Sequence, residues 1–313
     1  MLQLRRLVFA LAGSLALAAP ALAGKLAIVI DDFGYRPSTE NQVLAMPAEV
    51  SVAVLPNAPH AREMATKAHN QGHDVLIHLP MAPLSKQPLE KDTLRPDMSS
   101  EEIARIIREA VNDVPYAIGM NNHMGSAMTS SLPGMQKVMA ALAHYNLFFL
   151  DSMTIGNSQA MRAAAGTGVK VIKRKVFLDD TQNEADIRYQ FNRAVALASR
   201  NGSAIAIGHP HPSTVRVLQQ MLYSLPADIT LVRASSLLNE PQVDTSRPNA
   251  APPSQTAPAA PRNPFRGVKL CKPKRQPEPV YATRFFTVIS ESVSESAVVS
   301  YFRHQWQGWG KQS

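Results

Sequence analysis

Four short apolar runs in this chain each lead into a carboxylate or a histidine region. The runs cover residues 26–30, 74–77, 117–120 and 203–208, and the polar residues after them are Asp31 and Asp32, His78, Asn121 to His123, and His209 and His211. Short continuous apolar runs are typical of buried parallel strands. Polar residues at the C-terminal ends of such strands lie where α/β sheets and barrels form active sites. Because these residue types bind divalent metals, the repetition predicts a single metal-centred site.

Strand-like and helix-like segments alternate from residue 25 to about residue 240, which predicts parallel βα units. Four further predicted strands cover residues 50–55, 147–150, 169–172 and 229–232. About eight such units favour an α/β fold, an irregular (β/α) barrel of seven to eight parallel strands over residues 24–240. An open doubly wound sheet is the alternative, although no Gly-x-Gly-x-x-Gly motif follows the first strand.

The N-terminal residues 1–23 have the pattern of an export signal peptide. They contain Arg5-Arg6, an apolar stretch over residues 7–17, and a cleavage site at Ala21-Leu22-Ala23. We therefore expect a mature periplasmic protein without a stable membrane span, and an uncleaved N-terminal anchor is the alternative. An internal disulfide is excluded because Cys271 is the only cysteine, so the core depends on apolar burial.

The composition changes after Pro241. Residues 241–265 are rich in proline and alanine and have too little large apolar surface to offset chain entropy, so we expect a disordered linker. We expect poor order in the basic tail, residues 266–313, with docking to an envelope protein as the alternative. Much of the formal net charge of +8 lies in the signal peptide and after residue 261. The predicted barrel has no basic stripe with interleaved aromatics, which argues against a nucleic-acid partner.

Asp31 and Asp32 are adjacent carboxylates at the end of the first predicted strand. Their side chains point in different directions, so one can bind a metal while the other accepts a proton. A solvated pair that caps the next helix is the alternative. His78 and His123 complete an Asp/His/His set together with Asp32. Three protein ligands with one open position are the pattern of a catalytic zinc site.

The residues around His78 and His123 predict the local backbone structure at each histidine. Pro80 is predicted to end the strand that contains His78 and to leave this histidine at the rim. Residues 121–126, with two amides and a glycine, suit a tight polar loop around His123. A hydrogen-bonded structural role is the alternative for His78.

His209 and His211 follow a predicted strand and precede a predicted helix. One imidazole can donate a proton to a leaving group while the other orients it or bonds the backbone. Asp151 is expected on the same face, where its carboxylate would hydrogen-bond a histidine and fix its tautomer without binding the metal itself.

Four further polar residues are assigned supporting roles. Asn121 and Asn122 are predicted to bind substrate or to support the ligands, and their amides would help to stabilise charge at an oxyanion. Asp179 and Asp180 are predicted to cap the helix that begins near Glu184.

Taken together, these residues resemble the divergent polysaccharide deacetylase family, relatives of the NodB-type carbohydrate esterases. The resemblance covers about residues 25–240 and rests on segments 27–34, 72–81, 119–126, 150–152 and 208–211. It implies an irregular (β/α) barrel that holds a divalent metal. It also implies Asp31 as the general base and Asp32 as a metal ligand. The general acid falls on His209 or, with less support, on His211.

One departure from the family pattern concerns the second metal histidine. The NodB pattern supplies two histidines from one His-x-x-x-His segment, but Ala82 stands four residues after His78. His123 is then the candidate for the second imidazole. The Arg-Pro-Tyr motif of the family is also absent, and Asn121-Asn122-His123 stands in a comparable place.

The leading hypothesis is a metal-dependent hydrolase that removes an N-acetyl or related acyl group from an envelope carbohydrate. One divalent ion is expected, with zinc favoured and cobalt, nickel or manganese compatible with the ligand set. The alternative is a periplasmic glycan- or protein-binding factor that retains the metal pocket without catalysis. A phosphoester hydrolase ranks lower, because the chain has neither a Gly-rich phosphate loop nor a lysine at a strand end.

Overall fold

The computed structural model describes residues 23–240, which form nine β-strands and eight α-helices. The strands are β1 (Gly24–Phe33), β2 (Ser51–Val54), β3 (Val75–Met81), β4 (Gly119–Met124), β5 (Phe148–Asp151), β6 (Val171–Lys173), β7 (Val176–Phe177), β8 (Ser203–Gly208) and β9 (Ile229–Leu231). The helices are α1 (Pro37–Leu44), α2 (Ala61–Asn70), α3 (Ser100–Asp113), α4 (Ser126–Ser130), α5 (Leu132–Leu142), α6 (Ala160–Ala163), α7 (Glu184–Asn201) and α8 (Pro212–Met221). Two 3₁₀ helices cover Leu222–Ser224 and Ala234–Leu237. The predicted signal peptide (apart from Ala23), linker and basic tail lie outside the described residues.

β1 is the central strand of a parallel sheet. The strand order is β6-β5-β4-β3-β2-β1-β8-β7, and the neighbouring strands pair in parallel. β9 pairs with the first residues of β1, Gly24 to Leu26, whereas β2 pairs with its later residues, Val29 to Phe33. β8 runs along β1 from Lys25 to Ile30. The alternation of strands and helices along the chain provides the crossovers that parallel pairing requires.

The two edges of this sheet come close together because the chain passes directly from one to the other. Lys173 of β6 pairs with Asp151 of β5, and Val176 of β7 pairs with Ala206 of β8. The three residue steps from Lys173 to Val176 span at most about 11 Å. The sheet is therefore curled into an irregular (β/α) barrel. This confirms the predicted fold and excludes the open doubly wound alternative.

The side chains of β1 alternate between two apolar clusters. Leu26, Ile28 and Ile30 belong to a large cluster that includes residues of α2, α3, α5 and α7, so they face the helices. Ala27 and Val29 belong to a second cluster, which consists of strand residues and the 3₁₀ helix at the end of the described chain. We call this second side the inner face of the sheet. Both faces are buried, and the strand is therefore continuously apolar.

β3 and β4 are longer than the sequence pattern predicts. They stay paired as far as Met81 and Met124. Pro80 therefore lies within β3, and residues 121–124 belong to a strand rather than a loop, so both of these predictions were wrong. The carbonyl of Pro80 accepts a hydrogen bond from Leu94 N–H, on the edge of β3 away from β4. The missing N–H of the proline thus leaves the β3–β4 ladder intact.

The helices form by ordinary amphipathic and capping rules, as α3 shows. The Ser99 hydroxyl accepts a hydrogen bond from Glu102 N–H at 3.1 Å, which satisfies one free amide of the first turn. The buried residues of α3 have the spacing of one helix face: Ile103, Ile106, Ile107 and Ala110. Within residues 23–240, no helix combines the length and the apolarity that a membrane span requires.

Gly119→Ala tests the packing of β4 on β5. A Cβ at Gly119 would lie 2.6 Å from the ring of Phe148, which is buried and is its register partner. We expect the substitution to lower the free energy of unfolding by about 1–3 kcal/mol, because the ring has to move within a packed core. In the Phe148→Leu background the same substitution should cost much less, and urea unfolding of the four proteins measures this coupling.

Gly156→Ala is the control, since no atom of the described chain lies within 4 Å of a Cβ added there. Its free energy of unfolding should stay within about 0.5 kcal/mol of wild type. An equal loss for Gly119→Ala with and without the Phe148 ring would contradict the described packing.

Candidate metal centre

Five polar side chains of the sheet share its inner face near the C-terminal ends of the strands. They are Asp31, His78, Asn121, His123 and His209. Side chains alternate along a strand, so a residue two positions beyond an inner-face residue lies on the same face. The inner-face residues two positions earlier are Val29 for Asp31, Leu76 for His78 and Ile207 for His209. In β4, Asn121 is the register partner of His78, and His123 follows it by two positions.

Asp32 reaches the same site because β1 is irregular there. The register between β1 and β2 shifts between Ile30 and Phe33, and Asp32 has a φ of 59°. Consecutive side chains of a regular strand point to opposite faces, but an irregularity of this kind re-aims one of them. A left-handed φ is uncommon for a residue other than glycine and costs free energy, and such positions cluster at functional sites.

Three possible ligand atoms meet at this place. Asp32 Oδ1 lies 3.2 Å from His78 Nε2 and 3.2 Å from His123 Nδ1, and the two nitrogens are 3.0 Å apart. Although Asp32 Oδ1 is buried, it has no hydrogen-bond partner among the residues that the structure describes. The edge of a tetrahedron with bonds of 2.0–2.1 Å is about 3.3–3.4 Å. One oxygen and two imidazole nitrogens at this spacing fit a divalent cation of the size of zinc.

The two adjacent aspartates have pKa values displaced in opposite directions. Burial raises the pKa of Asp31 above its usual range. Burial also raises the pKa of Asp32, but contacts with the His123 and His78 imidazoles outweigh it and hold this pKa well below the usual range. When the environment moves the pKa values of two carboxyl groups apart in this way, the group with the raised pKa is suited to act as a base and the other stays ionised.

Asn121 links Asp31 to His78. Its Nδ2 donates to Asp31 Oδ1 at 2.8 Å, and its Oδ1 lies 2.7 Å from His78 Nδ1. An ionised carboxylate only accepts hydrogen bonds, so the amide nitrogen has to face Asp31 and the amide oxygen has to face His78. His78 Nδ1 then carries the proton of that contact. In the neutral ring, Nε2 then offers its lone pair at the place where Asp32 and His123 meet.

His209 is held by Asp179. Asp179 Oδ1 lies 3.0 Å from His209 Nδ1, and Asp179 Oδ2 accepts hydrogen bonds from His209 N–H and from the Thr214 hydroxyl, each at 2.7 Å. His209 Nε2 faces the site, 3.9 Å from Asp32 Oδ2. Burial lowers the pKa of His209, but the hydrogen bond and the charge of Asp179 outweigh burial and raise this pKa to about 9.

Asp179, His209 and His211 also bring ligand-type atoms within 4.8 Å of one another. The oxygens of Asp179, however, are already engaged by two contacts from His209 and one from Thr214. This group therefore fits the orientation of an imidazole better than it fits the binding of a cation.

Two predictions about aspartates were wrong. Neither Asp179 nor Asp180 is the N-cap of α7, because the side chain of Asn183 accepts the hydrogen bonds at that helix start. Asp151 was expected to hold a histidine, a contact that Asp179 makes instead. Leu150 lies on the inner face, so Asp151 points to the opposite one, where its Oδ1 accepts from Met153 N–H at 2.9 Å.

Neither Asn122 nor His211 supplies one of the three ligand atoms, and alternation along β4 turns Asn122 to the face opposite Asn121 and His123. Asn122 Oδ1 accepts from Ser152 N–H at 3.0 Å and its Nδ2 donates to the Met124 carbonyl at 2.6 Å, so the amide ties β4 to the segment after β5. His211 is the N-cap residue of α8, and its ring centroid lies 5.7 Å from that of His209. Their roles toward a substrate stay predictions.

Asp179, which holds His209, and Arg174, whose guanidinium interacts electrostatically with Asp31, were not singled out as site residues from the sequence. Asp179 follows an apolar run, 176–178, that is shorter than the four runs used to locate the site. Arg174 lies in the crossover between β6 and β7, where its guanidinium donates to the carbonyls of Ser152 and Met153 at 2.5 and 2.8 Å. No pattern in the sequence marks this arginine, because its partners are backbone atoms of another strand end.

Comparison with known proteins agrees with this architecture. The sequence model of the divergent polysaccharide deacetylase family matches residues 28–238. The uncharacterized protein YibQ of Escherichia coli (strain K12) is 77% identical over 312 residues, which is 100% of this chain and 97% of that protein. An uncharacterized protein of Haemophilus influenzae (strain Rd) is 47% identical over 224 residues, which is 72% of this chain and 80% of that protein.

A solved structure supports the fold as well. The uncharacterized protein ATU2773 from Agrobacterium tumefaciens C58 superposes with a TM-score of 0.64 at 20% sequence identity. The match covers 70% of this chain and 91% of that chain. At this identity the likeness concerns the fold, which is the curled parallel sheet with its surrounding helices.

His78→Ala and His123→Ala test the three-atom site. After incubation with Zn²⁺ and desalting, we expect about one cation per chain in the wild type and its loss from both variants, because each lacks one of three protein ligands. Elemental analysis by mass spectrometry measures the content. His144→Ala, at an exposed histidine after α5, is the control and should keep the metal. Stoichiometric metal in both variants would contradict the ligand assignment.

Asp179→Asn tests the origin of the raised pKa of His209. The substitution removes the negative charge that favours the imidazolium, while burial, which disfavours it, remains. We expect the pKa of His209 to fall from about 9 to 6.5 or below, measured by NMR titration of the metal-free protein. Asp180→Asn, at the exposed neighbouring position, should leave it unchanged. An unaltered pKa of His209 in Asp179→Asn would show that a group other than Asp179 raises it.

Proposed function

This chain belongs to the divergent polysaccharide deacetylase family, and from that premise we propose that it is a metal-dependent hydrolase acting on an envelope carbohydrate. The group removed would be an N-acetyl or a related acyl group. The observation that carries the proposal is the convergence of Asp32 Oδ1, His78 Nε2 and His123 Nδ1 within 3.2 Å of one another. Beside them lie a buried carboxylate, Asp31, and a histidine held by a carboxylate, His209.

Asp32, His78 and His123 would hold the cation. We propose zinc, which takes mixed nitrogen and oxygen ligands and keeps an open position in catalytic sites. Cobalt, nickel and manganese are compatible with the same ligands. When bound, such a cation supplies Lewis acidity, which polarises an acyl carbonyl and makes water a stronger acid.

Asp31 is the proposed general base. It is buried, and burial raises the pKa of its carboxyl group, which makes the carboxylate a better proton acceptor near neutral pH. The hydrogen bond from Asn121 Nδ2 holds Oδ1 in place, and Oδ2 lies 3.7 Å from His78 Nδ1. Asp31 would take the proton of the attacking water without serving as a metal ligand.

His209 is the proposed general acid. Its Nδ1 is engaged by Asp179, so the proton available to a substrate is that of Nε2, on the side of Asp32. With a pKa of about 9, the imidazole is protonated at neutral pH and can donate to the leaving amine nitrogen. Donation leaves a neutral ring, and the Asp179 carboxylate favours the recovery of its proton.

The compartment and the substrate class are part of the same proposal. We propose that the export signal expected in residues 1–23 directs the mature protein to the periplasm, where envelope carbohydrates would be accessible to it. Membership of the family supports a carbohydrate substrate. A glycan- or protein-binding factor that retains the metal without catalysis is the competing proposal, because divergent motifs accompany the metal site in this chain.

Asp31→Asn separates the base from the metal ligands. The zinc-loaded variant should keep its cation, since Asp31 is not a proposed ligand, while kcat for acetate release falls about 10²- to 10⁴-fold because the base is lost. Acetate release from chitooligosaccharides, peptidoglycan and other envelope glycans, with Zn²⁺, Co²⁺ or Ni²⁺ supplied, measures the activity. Asp180→Asn is the control with an equal change of charge.

Two results would count against this function. Absence of acetate release by the metal-loaded wild type on all these glycans would favour the binding factor, particularly if Asp31→Ala still retains the glycan in a pull-down. Full activity of Asp31→Asn would exclude Asp31 as the base while leaving the metal site untouched.

A further inference from the structure

The second nitrogen of His123 has a partner outside the three-atom site. His123 Nδ1 faces Asp32 and His78, and His123 Nε2, on the far side of the ring, lies 3.3 Å from Glu90 Oε1. Glu90 belongs to the segment between β3 and α3, which contributes no predicted site residue. The contact therefore joins a surface segment to one of the proposed ligands.

The backbone around Glu90 is fixed by several hydrogen bonds. The carbonyl of Glu90 accepts from the hydroxyl of buried Thr93 at 2.7 Å and from its N–H at 3.3 Å. The next carbonyl, that of Lys91, accepts from Asn57 Nδ2 at 3.0 Å. Asp92 has a φ of 56° and pairs with Arg105 at 3.5 Å. Four consecutive residues are thus held in one conformation, which presents the Glu90 carboxylate to the histidine.

The tautomer of His123 that binds a cation determines which group donates in its contact with Glu90. A neutral imidazole that offers the lone pair of Nδ1 to a cation carries its proton on Nε2. A carboxylate beside that proton is the arrangement that commonly fixes the ring orientation and the tautomer of a metal-binding histidine. Because the carboxylate lies on the far side of the ring, it is not placed to be a ligand itself.

We propose that Glu90 is a positioning residue that orients His123 for metal binding. The proposal rests on the proposed function, since it assigns His123 to the same metal site. It adds that the segment from residue 82 to residue 99 takes part in building that site. In this chain the second histidine comes from β4 and not from the strand of the first, and Glu90 provides the support that holds it.

Metal affinity of the full-length protein is the first test. Competition against a chromophoric chelator measures the affinity for Zn²⁺ and Co²⁺ in the wild type, Glu90→Ala and Glu90→Gln. We expect a loss of about 10- to 100-fold in Glu90→Ala. Glu90→Gln should recover much of it, because the amide oxygen can also accept the Nε2 proton. Asp97→Asn removes a charge from the same segment and should bind as the wild type does. Equal affinities in Glu90→Ala and wild type would overturn the proposal.

The protonation pattern of His123 in the metal-free protein is a second and independent test. ¹⁵N NMR should show a proton on Nε2 in the wild type. In Glu90→Ala the fraction of His123 rings with a proton on Nε2 should fall, because Nδ1, which faces Asp32 and His78, then competes for that proton without the carboxylate of Glu90 opposing it. An unchanged pattern would refute the role of Glu90 even if the proposed function holds. Conversely, a wild type that binds no cation would refute the metal-dependent function, while this measurement still decides the role of Glu90.

Discussion

The side-chain amide of Asn121 connects the buried carboxylate of Asp31 to the imidazole of His78, and the candidate site depends on the direction of this amide. Its nitrogen donates to Asp31 and its oxygen meets His78 Nδ1, at 2.8 and 2.7 Å. Because only one direction satisfies both neighbours, the carboxylate determines the tautomer of a histidine that it does not need to touch. The register of β3 and β4 makes this possible, since it places His78 and Asn121 side by side.

The curled parallel sheet explains how residues distant in the chain come to share one site. Alternation along β1, β3, β4 and β8 sends one set of side chains to the inner face, where they are apolar at first and polar near the C-terminal ends. The irregularity of β1 at Asp32 is the exception, and it adds a candidate ligand that regular alternation would have turned toward the helices. The left-handed conformation of Asp32 is therefore part of the site.

Much of this could be predicted from the sequence, because the apolar runs reveal both the strands and the residues at their ends. What the runs do not reveal is the face. Asp151 follows a run of the same kind but lies on the opposite side, since alternation from Leu150 turns it outward. Asp179 follows β7, which has only two residues, Val176–Phe177, too few to mark a strand. Glu90 depends on tertiary hydrogen bonds of an irregular segment, for which no local pattern exists.

The central claim is that Asp32, His78 and His123 bind one divalent cation together. Anomalous diffraction at the zinc absorption edge, on crystals of the zinc-loaded protein, tests it most directly. We expect one strong peak at about 2.0–2.2 Å from Asp32 Oδ1, His78 Nε2 and His123 Nδ1. A peak among Asp179, His209 and His211 instead, or a zinc ion beyond coordination distance of His123, would contradict it.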